Sequence, residues 1–231
     1  MKVAVIPARG GSKRIPQKNI KDFCGMPIIA YSIEAAKRSG LFDRVVVSTD
    51  CEKIAEVAIK FGADVPFFRP SELADDHTIL LEAVAHCVKR LELRDESQSQ
   101  ICCLFATTPM IESSSLVAGY ELLRELGRGL VMSVAEFAYP IQRALSLDEL
   151  GRVQMIQPQY ALTRSQDLNP CYHDAAQFIW GSASAFLNYK HENTHGIRVD
   201  RATVQDIDTM EDWAFAETLY QARHKTRVTK V

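Results

Sequence analysis

The chain has 231 residues, of which 27 are basic and 29 acidic, and its formal net charge is -2. So balanced a charge creates no general attraction for nucleic acid or for an anionic membrane, and an anionic ligand must be held by a local cluster of cations. The length fits one α/β domain whose core needs no disulfides or structural metal. We therefore expect a single domain over residues 1–231, with neither nucleic acid nor a membrane as partner.

The cysteine pattern gives no support to a secreted or zinc-bound protein. The six cysteines, at positions 24, 51, 87, 102, 103 and 171, include no CxxC pair and no paired spacing. Apolar runs all fall short of the roughly 18 residues that a membrane helix needs, and no secretory signal is evident at the start. These features predict reduced thiols and a cytoplasmic protein.

Strand-like and helix-like segments alternate through the first 135 residues. Buried strands are predicted at Lys2–Ile6, Arg44–Ser48, Asp64–Phe68, Ile101–Ala106 and Leu130–Val134, and helices at Pro27–Ser39, Glu52–Phe61, Thr78–Leu93 and Ser113–Leu126. This alternation predicts a three-layer α/β fold, in which a mostly parallel sheet carries helices on both faces. Ligands of such sheets bind beyond the carboxyl ends of the strands.

The alternation stops after the fifth predicted strand. Residues 137–187 contain prolines and scattered apolar side chains, and no good helix is expected until the last few positions. A long irregular segment inside a compact domain usually carries function or an oligomer contact. An amphipathic helix is predicted at Met210–Arg223, followed by a frayed end at Thr226–Val231.

The most informative motif is PARGGSKRIPQK, at residues 7–18, which directly follows the first strand. Gly10 and Gly11 can adopt backbone conformations closed to other residues, which lets backbone N–H groups approach an anion. The motif also carries four cations, namely Arg9, Lys13, Arg14 and Lys18. It matches neither the P-loop nor the GxGxxG pattern, and a solvated basic loop is the simpler alternative. Its position after the first strand favours a polyphosphate site.

Two carboxylates lie near the end of the chain. Asp206 and Asp208 are two residues apart, so in an extended segment both side chains leave the same face. Oxygen ligands of this kind suit Mg²⁺, which binds carboxylates together with substrate phosphates. The alternative is a helix cap formed by Asp208 or Thr209.

Polar residues also follow the other predicted strands. Asp50 is explained by a helix cap about as well as by ligand contact, and Asp76 and Thr78 precede a helix in the same way. Thr107, after the fourth strand, is a better site candidate because a small hydroxyl permits close approach by a nucleotide. Within the irregular segment, polar groups are concentrated at Arg164, His173, Asp174 and Gln177. Such a set suits a polyhydroxylated acid, with ordinary surface and proton transfer as alternatives.

Taken together, four segments resemble the CMP-sialic acid synthetase family, the cytidylyltransferases that activate nonulosonic acids. They are PARGGSKRIPQKNI at 7–20, VSTD at 47–50, RPSELADD at 69–76 and DIDTMEDW at 206–213. The resemblance covers nearly the whole chain. Residues 164–181, RSQDLNPCYHDAAQFIWG, are most similar to the pseudaminic acid branch, and Phe105 stands where the sialic acid enzymes usually have Gln.

The resemblance implies a nucleotide-diphospho-sugar transferase fold of Rossmann-like type and a role for each matched residue. The CTP site would comprise Arg9, Gly10, Gly11, Ser12, Lys13, Lys18, Asn19, Arg69, Asp76 and Thr78, with Arg69 near the cytosine. The sugar side would comprise Phe105, Thr107, Arg164, His173, Asp174 and Gln177. Asp206 and Asp208 would hold Mg²⁺, while Arg9, Lys18 and Asp208 would carry catalysis. The family also tends to dimerise through an excursion from the sheet, which residues 137–160 could provide.

The function so implied is transfer of the cytidylyl group of CTP to pseudaminic acid, a nine-carbon sugar acid, in a cytoplasmic homodimer. The alternatives are transfer to N-acetylneuraminic acid or to another 2-keto-3-deoxy sugar acid, a related enzyme that uses another nucleotide, and a non-catalytic nucleotide-sugar binding protein. No general base can be identified, although His173 or a metal-bound hydroxide are candidates.

Overall fold

The architecture comes from a computed structural model that describes residues 1–75, 78–93, 99–189 and 193–228. Its strands are β1 (Lys2–Pro7), β2 (Asp22–Phe23), β3 (Met26–Pro27), β4 (Arg44–Ser48), β5 (Gln100–Leu104), β6 (Leu130–Glu136), β7 (Leu145–Leu147), β8 (Val153–Met155), β9 (Tyr172–Ser182) and β10 (Thr194–Arg198). Its α-helices are α1 (Ile28–Arg38), α2 (Glu52–Lys60), α3 (Leu80–Arg90), α4 (Ser113–Leu126), α5 (Ala183–Leu187) and α6 (Met210–Val228).

Six strands form the central sheet in the order β10-β6-β9-β5-β1-β4. Strand β1 runs parallel to both β4 and β5, and β6 runs parallel to β10. Strand β9 is antiparallel to both of its neighbours, β5 and β6. The mostly parallel sheet predicted from the sequence is therefore confirmed, with one antiparallel strand near its centre.

Helices cover both faces of this sheet, as predicted. On one face, buried side chains of α1, α2 and α4 pack against β1 and β4, as Ile33, Ile54 and Leu116 show. On the other face, α3 and α5 pack against the same sheet through Val84 and Phe186. Burial of strands on both faces explains why runs such as VAVI and VVVS are continuously apolar rather than alternating.

Two sequence predictions differ from the structure. Residues Asp64–Phe68 do not form a strand; they make only the isolated bridges Val46–Asp64 and Thr49–Phe68 beside β4. The 137–187 segment, expected to be irregular, contains β9, which at eleven residues is the longest strand described. The irregular part of the chain is thus confined to the residues before Tyr172, where β7 and β8 pair as a short hairpin.

A bulge explains why β9 is hard to recognise. Pairing with β6 jumps from Met132–Ile179 to Val134–Asp174, so extra β9 residues face Ser133. The buried hydroxyl of Ser133 accepts hydrogen bonds from the N–H groups of Gln177 and Phe178, both at 3.2 Å. The bulge breaks the period-two pattern that predicts a strand.

The start of α6 settles which residue caps this helix. The Thr209 hydroxyl accepts a hydrogen bond from the Asp212 N–H at 3.2 Å, and the Asp212 carboxylate accepts one from the Thr209 N–H at 2.8 Å. This is a reciprocal capping box, so the cap is Thr209 and not Asp208. The helix runs beyond the predicted end at Arg223 to Val228, and residues 229–231 of the expected frayed end lie outside the described residues.

Candidate functional site

The basic loop leaves β1 and is held by two side chains at the carboxyl edge of the sheet. The Gly10 N–H donates to the Asp50 carboxylate at 2.8 Å. The buried Asn19 amide donates to the Arg9 carbonyl at 2.9 Å. Asp50 therefore fixes the loop instead of capping α2, whose cap position at Cys51 makes no side-chain cap bond.

The two glycines of this loop do not serve the purpose expected from the sequence. Neither Gly10 nor Gly11 has a positive φ angle. A Cβ added at Gly10 would lie 2.9 Å from the Cys51 Cβ, whereas a Cβ at Gly11 would meet no atom within 4 Å. Gly10 is therefore required by close packing, and backbone conformation is not the reason.

The loop forms one wall of a cleft of about 310 Å³ beyond the carboxyl ends of β1 and β5. Among the described residues, seven charged side chains line the cleft: Arg9, Lys13, Arg14, Lys18 and Arg69 are cationic, and Asp75 and Asp208 are acidic. The excess of cations gives the cleft a positive potential in a chain that is slightly acidic overall. A polyanion is the ligand that this charge distribution favours.

Arg69 is the most unusual of these cations because it is buried, with 6 % of its surface exposed. Its Nε and one terminal nitrogen are buried and make no hydrogen bond within the described part of the chain. Burial lowers the pKa of its guanidinium, Asp50 acts to raise that pKa, and Arg9 lowers it further. Unsatisfied donors of a buried cation are costly, so these groups are poised to bind an acceptor in the cleft.

The two carboxylates expected to bind metal lie in different surroundings. Asp208 lines the cleft, where its Oδ1 lies 2.9 Å from Arg14 Nη2 and 3.5 Å from Lys18 Nζ. Asp206 is exposed and is not among the residues that line the cleft. Among the described residues, no three acidic, cysteine or histidine side chains gather as a metal site. One carboxylate in a cleft with an excess of cations nevertheless fits Mg²⁺, which commonly takes most of its ligands from phosphates and water.

The opposite wall of the cleft is formed where β5 ends. Phe105 and Thr107, both predicted for the sugar side, line the cleft. The buried Ser32 hydroxyl of α1 donates to the Phe105 carbonyl at 2.7 Å and lies 3.1 Å from the Thr108 hydroxyl. These bonds fix the turn that presents Thr107 to the cleft.

The other four residues predicted for the sugar side, Arg164, His173, Asp174 and Gln177, do not line this cleft. Gln177 is buried, and its amide donates to the Thr203 carbonyl at 2.9 Å. His173 and Asp174 lie in β9 beside the end of β6, so they share the carboxyl edge of the sheet with the cleft. The Asp174 carboxylate accepts a hydrogen bond from the Ala176 N–H at 2.7 Å. This bond stabilises the bulge, in which Ala176 has a positive φ of 48°. Arg164 is exposed in the irregular segment.

The remaining predicted nucleotide contacts come from the basic loop, which contains Ser12, and from the chain between Arg69 and α3. Ser12 and Thr78 line the cleft, and Thr78 donates its hydroxyl to Asp75 at 2.7 Å. Asp76 lies outside the described residues. Asp75 itself was not singled out from the sequence, although its carbonyl accepts a hydrogen bond from Arg9 at 2.5 Å. The DD pair before α3 was the available signal, but the sequence could not show which aspartate faces the loop.

A second cavity, of about 400 Å³, lies between α1, the start of α4 and α6. Its charged side chains are mostly engaged in ion pairs: Arg223 lies 2.8 Å from Glu112, and Arg38 lies 3.5 Å from Glu34. Because these pairs neutralise one another, the cavity lacks the cationic excess of the cleft. It is the poorer place for a polyphosphate despite its larger volume.

The fold and the cleft together define an α/β protein of nucleotide-binding type, with a cation-rich cleft at the carboxyl edge of a mostly parallel sheet. A sequence profile described as "Cytidylyltransferase" matches residues 3–227, and the chain belongs to this family of nucleotidyltransferases. Solved structures agree on the fold. A CMP:2-keto-3-deoxy-manno-octonic acid synthetase complexed with CTP superposes with a TM-score of 0.70, covering 96 % of this chain and 99 % of that one at 16 % identity.

Characterised relatives cover nearly all of the chain. A pseudaminic acid cytidylyltransferase of Campylobacter jejuni (strain 81-176) is 42 % identical over 228 residues, which are 97 % of this chain and 98 % of the relative. A CMP-N,N'-diacetyllegionaminic acid synthase of Legionella pneumophila is 30 % identical over 98 % of this chain and 99 % of its own. The resemblance drawn from the motifs is thereby confirmed. Among the described residues no helix is long and apolar enough to cross a bilayer.

Proposed function

We propose that this cytidylyltransferase transfers CMP from CTP to pseudaminic acid, releasing pyrophosphate. The observation that carries the proposal is the convergence of five cations in one cleft at the carboxyl edge of the sheet, in a chain 42 % identical to a pseudaminic acid cytidylyltransferase. Transfer to N-acetylneuraminic or another 2-keto-3-deoxy sugar acid is the second candidate, supported by a 29 % identical N-acylneuraminate cytidylyltransferase of Escherichia coli.

The reaction needs charge stabilisation more than covalent chemistry. The anomeric hydroxyl of the sugar would attack the α-phosphorus in line, and pyrophosphate would leave with the bonding electrons. Arg9, Lys13 and Lys18 would bind the phosphates and stabilise the charge that accumulates on the leaving group. Arg69, two of whose nitrogens make no hydrogen bond among the described residues, would bind an acceptor on the cytidine part of CTP.

We assign the binding of Mg²⁺ to Asp208, with CTP phosphates as further ligands. Bound there, the ion would neutralise phosphate charge. Asp208→Asn should lower kcat by about a hundredfold or more, because such stabilisation is worth several kcal/mol. Asp206→Asn is the matched comparison, since Asp206 is exposed and does not line the cleft. Near-normal turnover of Asp208→Asn at limiting Mg²⁺ would contradict the assignment. An equal loss of kcat in both variants would mean that Asp206 and Asp208 both bind the ion.

For the sugar acid we propose contacts from Phe105 and Thr107 in the cleft and from His173 and Asp174 at the same edge of the sheet. Arg164 would bind the sugar carboxylate. The role of Gln177 as a sugar contact stays a prediction. Its amide nitrogen already donates a hydrogen bond to the Thr203 carbonyl.

The choice of sugar is tested by measuring pyrophosphate release from CTP with pseudaminic and N-acetylneuraminic acids. Each buried donor or acceptor that the wrong sugar leaves unpaired costs about 1 to 3 kcal/mol, and several such penalties should accumulate. Turnover with pseudaminic acid should therefore be faster by orders of magnitude. Equal rates would assign the enzyme to the wider family instead.

We also propose that the enzyme is a homodimer. Of fifteen large apolar side chains exposed among the described residues, nine lie between Phe137 and Leu162, the segment that contains the β7–β8 hairpin. Such a concentration of apolar surface is typical of an interface. Leu147→Asp with Leu150→Asp should halve the mass measured by light scattering, whereas Ile59→Asp, on α2, should not. A monomeric unmodified protein would contradict the proposal.

We place the reaction in the cytoplasm. The six cysteines of the chain are free thiols, which fits a reducing compartment. Cell fractionation tests this placement, and recovery of the protein outside the cytoplasm would contradict it.

A further inference from the structure

Arg14 lines the cleft but was given no individual role above, and it forms an ion pair with an acidic side chain of the cleft. Its Nη2 lies 2.9 Å from Asp208 Oδ1, and Lys18 Nζ lies 3.5 Å from the same oxygen. The helix cap of α6 does not use the Asp208 carboxylate, because Thr209 and Asp212 form that cap. The carboxylate proposed to bind the divalent ion is therefore paired with two cations of the chain itself.

Arg14 and Lys18 differ in how readily they can move away from the Asp208 carboxylate. Lys18 is largely buried, with 22 % of its side chain exposed, and its ammonium donates to the Ile207 carbonyl at 2.6 Å. Arg14 is 67 % exposed at the mouth of the cleft. An exposed ion pair is weak in water, so Arg14 can exchange partners at little cost.

A triphosphate changes this balance. Guanidinium groups form strong charge-assisted hydrogen bonds to phosphate, and the several negative charges of a triphosphate outweigh the single charge of Asp208. Arg14 would therefore move from the carboxylate to the phosphates, which frees an oxygen of Asp208. Without nucleotide, Arg14 and Lys18 both repel a divalent ion that approaches this oxygen.

We propose that Arg14 is a positioning residue that occupies Asp208 until the nucleotide arrives, so that the divalent ion binds the protein only together with the triphosphate. This inference rests on the proposed function of the cleft. It concerns the order in which metal and nucleotide bind and is independent of which sugar acid is used.

The test is Mn²⁺ binding followed by electron paramagnetic resonance, without sugar acid, so that no turnover occurs. The unmodified protein should bind Mn²⁺ weakly alone and tightly with CTP. In the absence of CTP, Arg14→Ala should bind Mn²⁺ about five- to thirtyfold more tightly than the unmodified protein does. Repulsion between one cation and a neighbouring divalent ion in water changes the affinity for that ion by about this factor. With CTP present, this gain should be lost.

Arg38→Ala is the matched control, since Arg38 is 64 % exposed and pairs with Glu34 outside the cleft. It should leave Mn²⁺ binding unchanged in both conditions. Arg14→Gln, which keeps a polar side chain without the charge, should behave as Arg14→Ala, and thermal unfolding checks that each variant is folded.

Two results would overturn the inference. One is equal Mn²⁺ affinity of the unmodified protein with and without CTP, and the other is an Arg14→Ala protein that gains no affinity for Mn²⁺ alone. Neither result affects the proposed function if the unmodified protein still binds CTP and turns over. Absence of CTP binding in the unmodified protein would instead remove the proposed function, and this inference with it.

Discussion

At the scale of single residues, Arg69 links the stability of the fold to ligand binding. Its buried guanidinium leaves two nitrogens without hydrogen bonds among the described residues, which costs folding free energy. Arg69→Met should therefore keep or raise the thermal midpoint, while CTP affinity falls by about ten- to hundredfold, the value of a charge-assisted contact. Calorimetry and CTP titration measure both quantities. A variant that unfolds, or that binds CTP normally, would contradict this account of Arg69.

The two glycines of the basic loop provide a matched pair of variants. Gly10→Ala should impair CTP binding, because the new Cβ would meet the Cys51 Cβ at 2.9 Å and displace the loop. Gly11→Ala, at a position with open space around it, should bind CTP nearly normally. The comparison is made by CTP titration of both variants. Equal effects would show that packing against Cys51 does not position the loop.

Residues that line the cleft could be predicted from the sequence where the signal is local. Arg9, Lys13 and Lys18 follow directly after a buried strand. Because ligands of parallel sheets bind beyond the carboxyl ends of the strands, these residues could be predicted to share one cleft, and all three line it. Contacts between distant segments gave no such signal. The bond from the Gly10 N–H to Asp50 joins residues 40 apart, and the Arg14–Asp208 pair joins opposite ends of the chain.

At the scale of elements, strand β9 depends on one buried hydroxyl. Ser133 is fully buried and accepts hydrogen bonds from the backbone N–H groups of Gln177 and Phe178. Ser133→Ala should reduce the free energy of unfolding by about 1 to 3 kcal/mol, because both donors would remain buried without an acceptor. Urea unfolding measures the change. Ser146→Ala, in the exposed β7 strand, is the control and should change stability little, whereas equal losses would rule out the proposed role of the bulge.

Continuous strands and amphipathic helices were predicted well, and the errors occur where tertiary pairing determines the structure. Strand β9 has a bulge at Ala176 and contacts β5 and β6 on its two sides, so neither alternation nor local turn signals mark it. Asp64–Phe68 has the opposite problem. Its apolar residues are typical of a strand, yet its β-type pairing beside β4 is limited to two isolated bridges.

At the scale of the whole molecule, two cavities of similar size differ in the distribution of their charged side chains. The basic cleft is built from the first loop, Arg69, the end of β5 and Asp208, whereas the cavity beside α6 contains acidic and basic side chains in pairs. The central claim is that CTP binds the basic cleft, because an excess of cations over carboxylates among its described residues attracts a polyanion, and neutralised pairs do not.

Hydrogen exchange of backbone amides, with and without CTP, tests this claim most directly. We predict that CTP slows exchange in the loop at residues 9–19 and at the end of β5, and leaves residues 110–114 beside the second cavity unchanged. Lys18→Ala should reduce this protection at equal CTP concentration. Protection confined to residues 110–114 and α6, with the basic loop unaffected, would contradict the account.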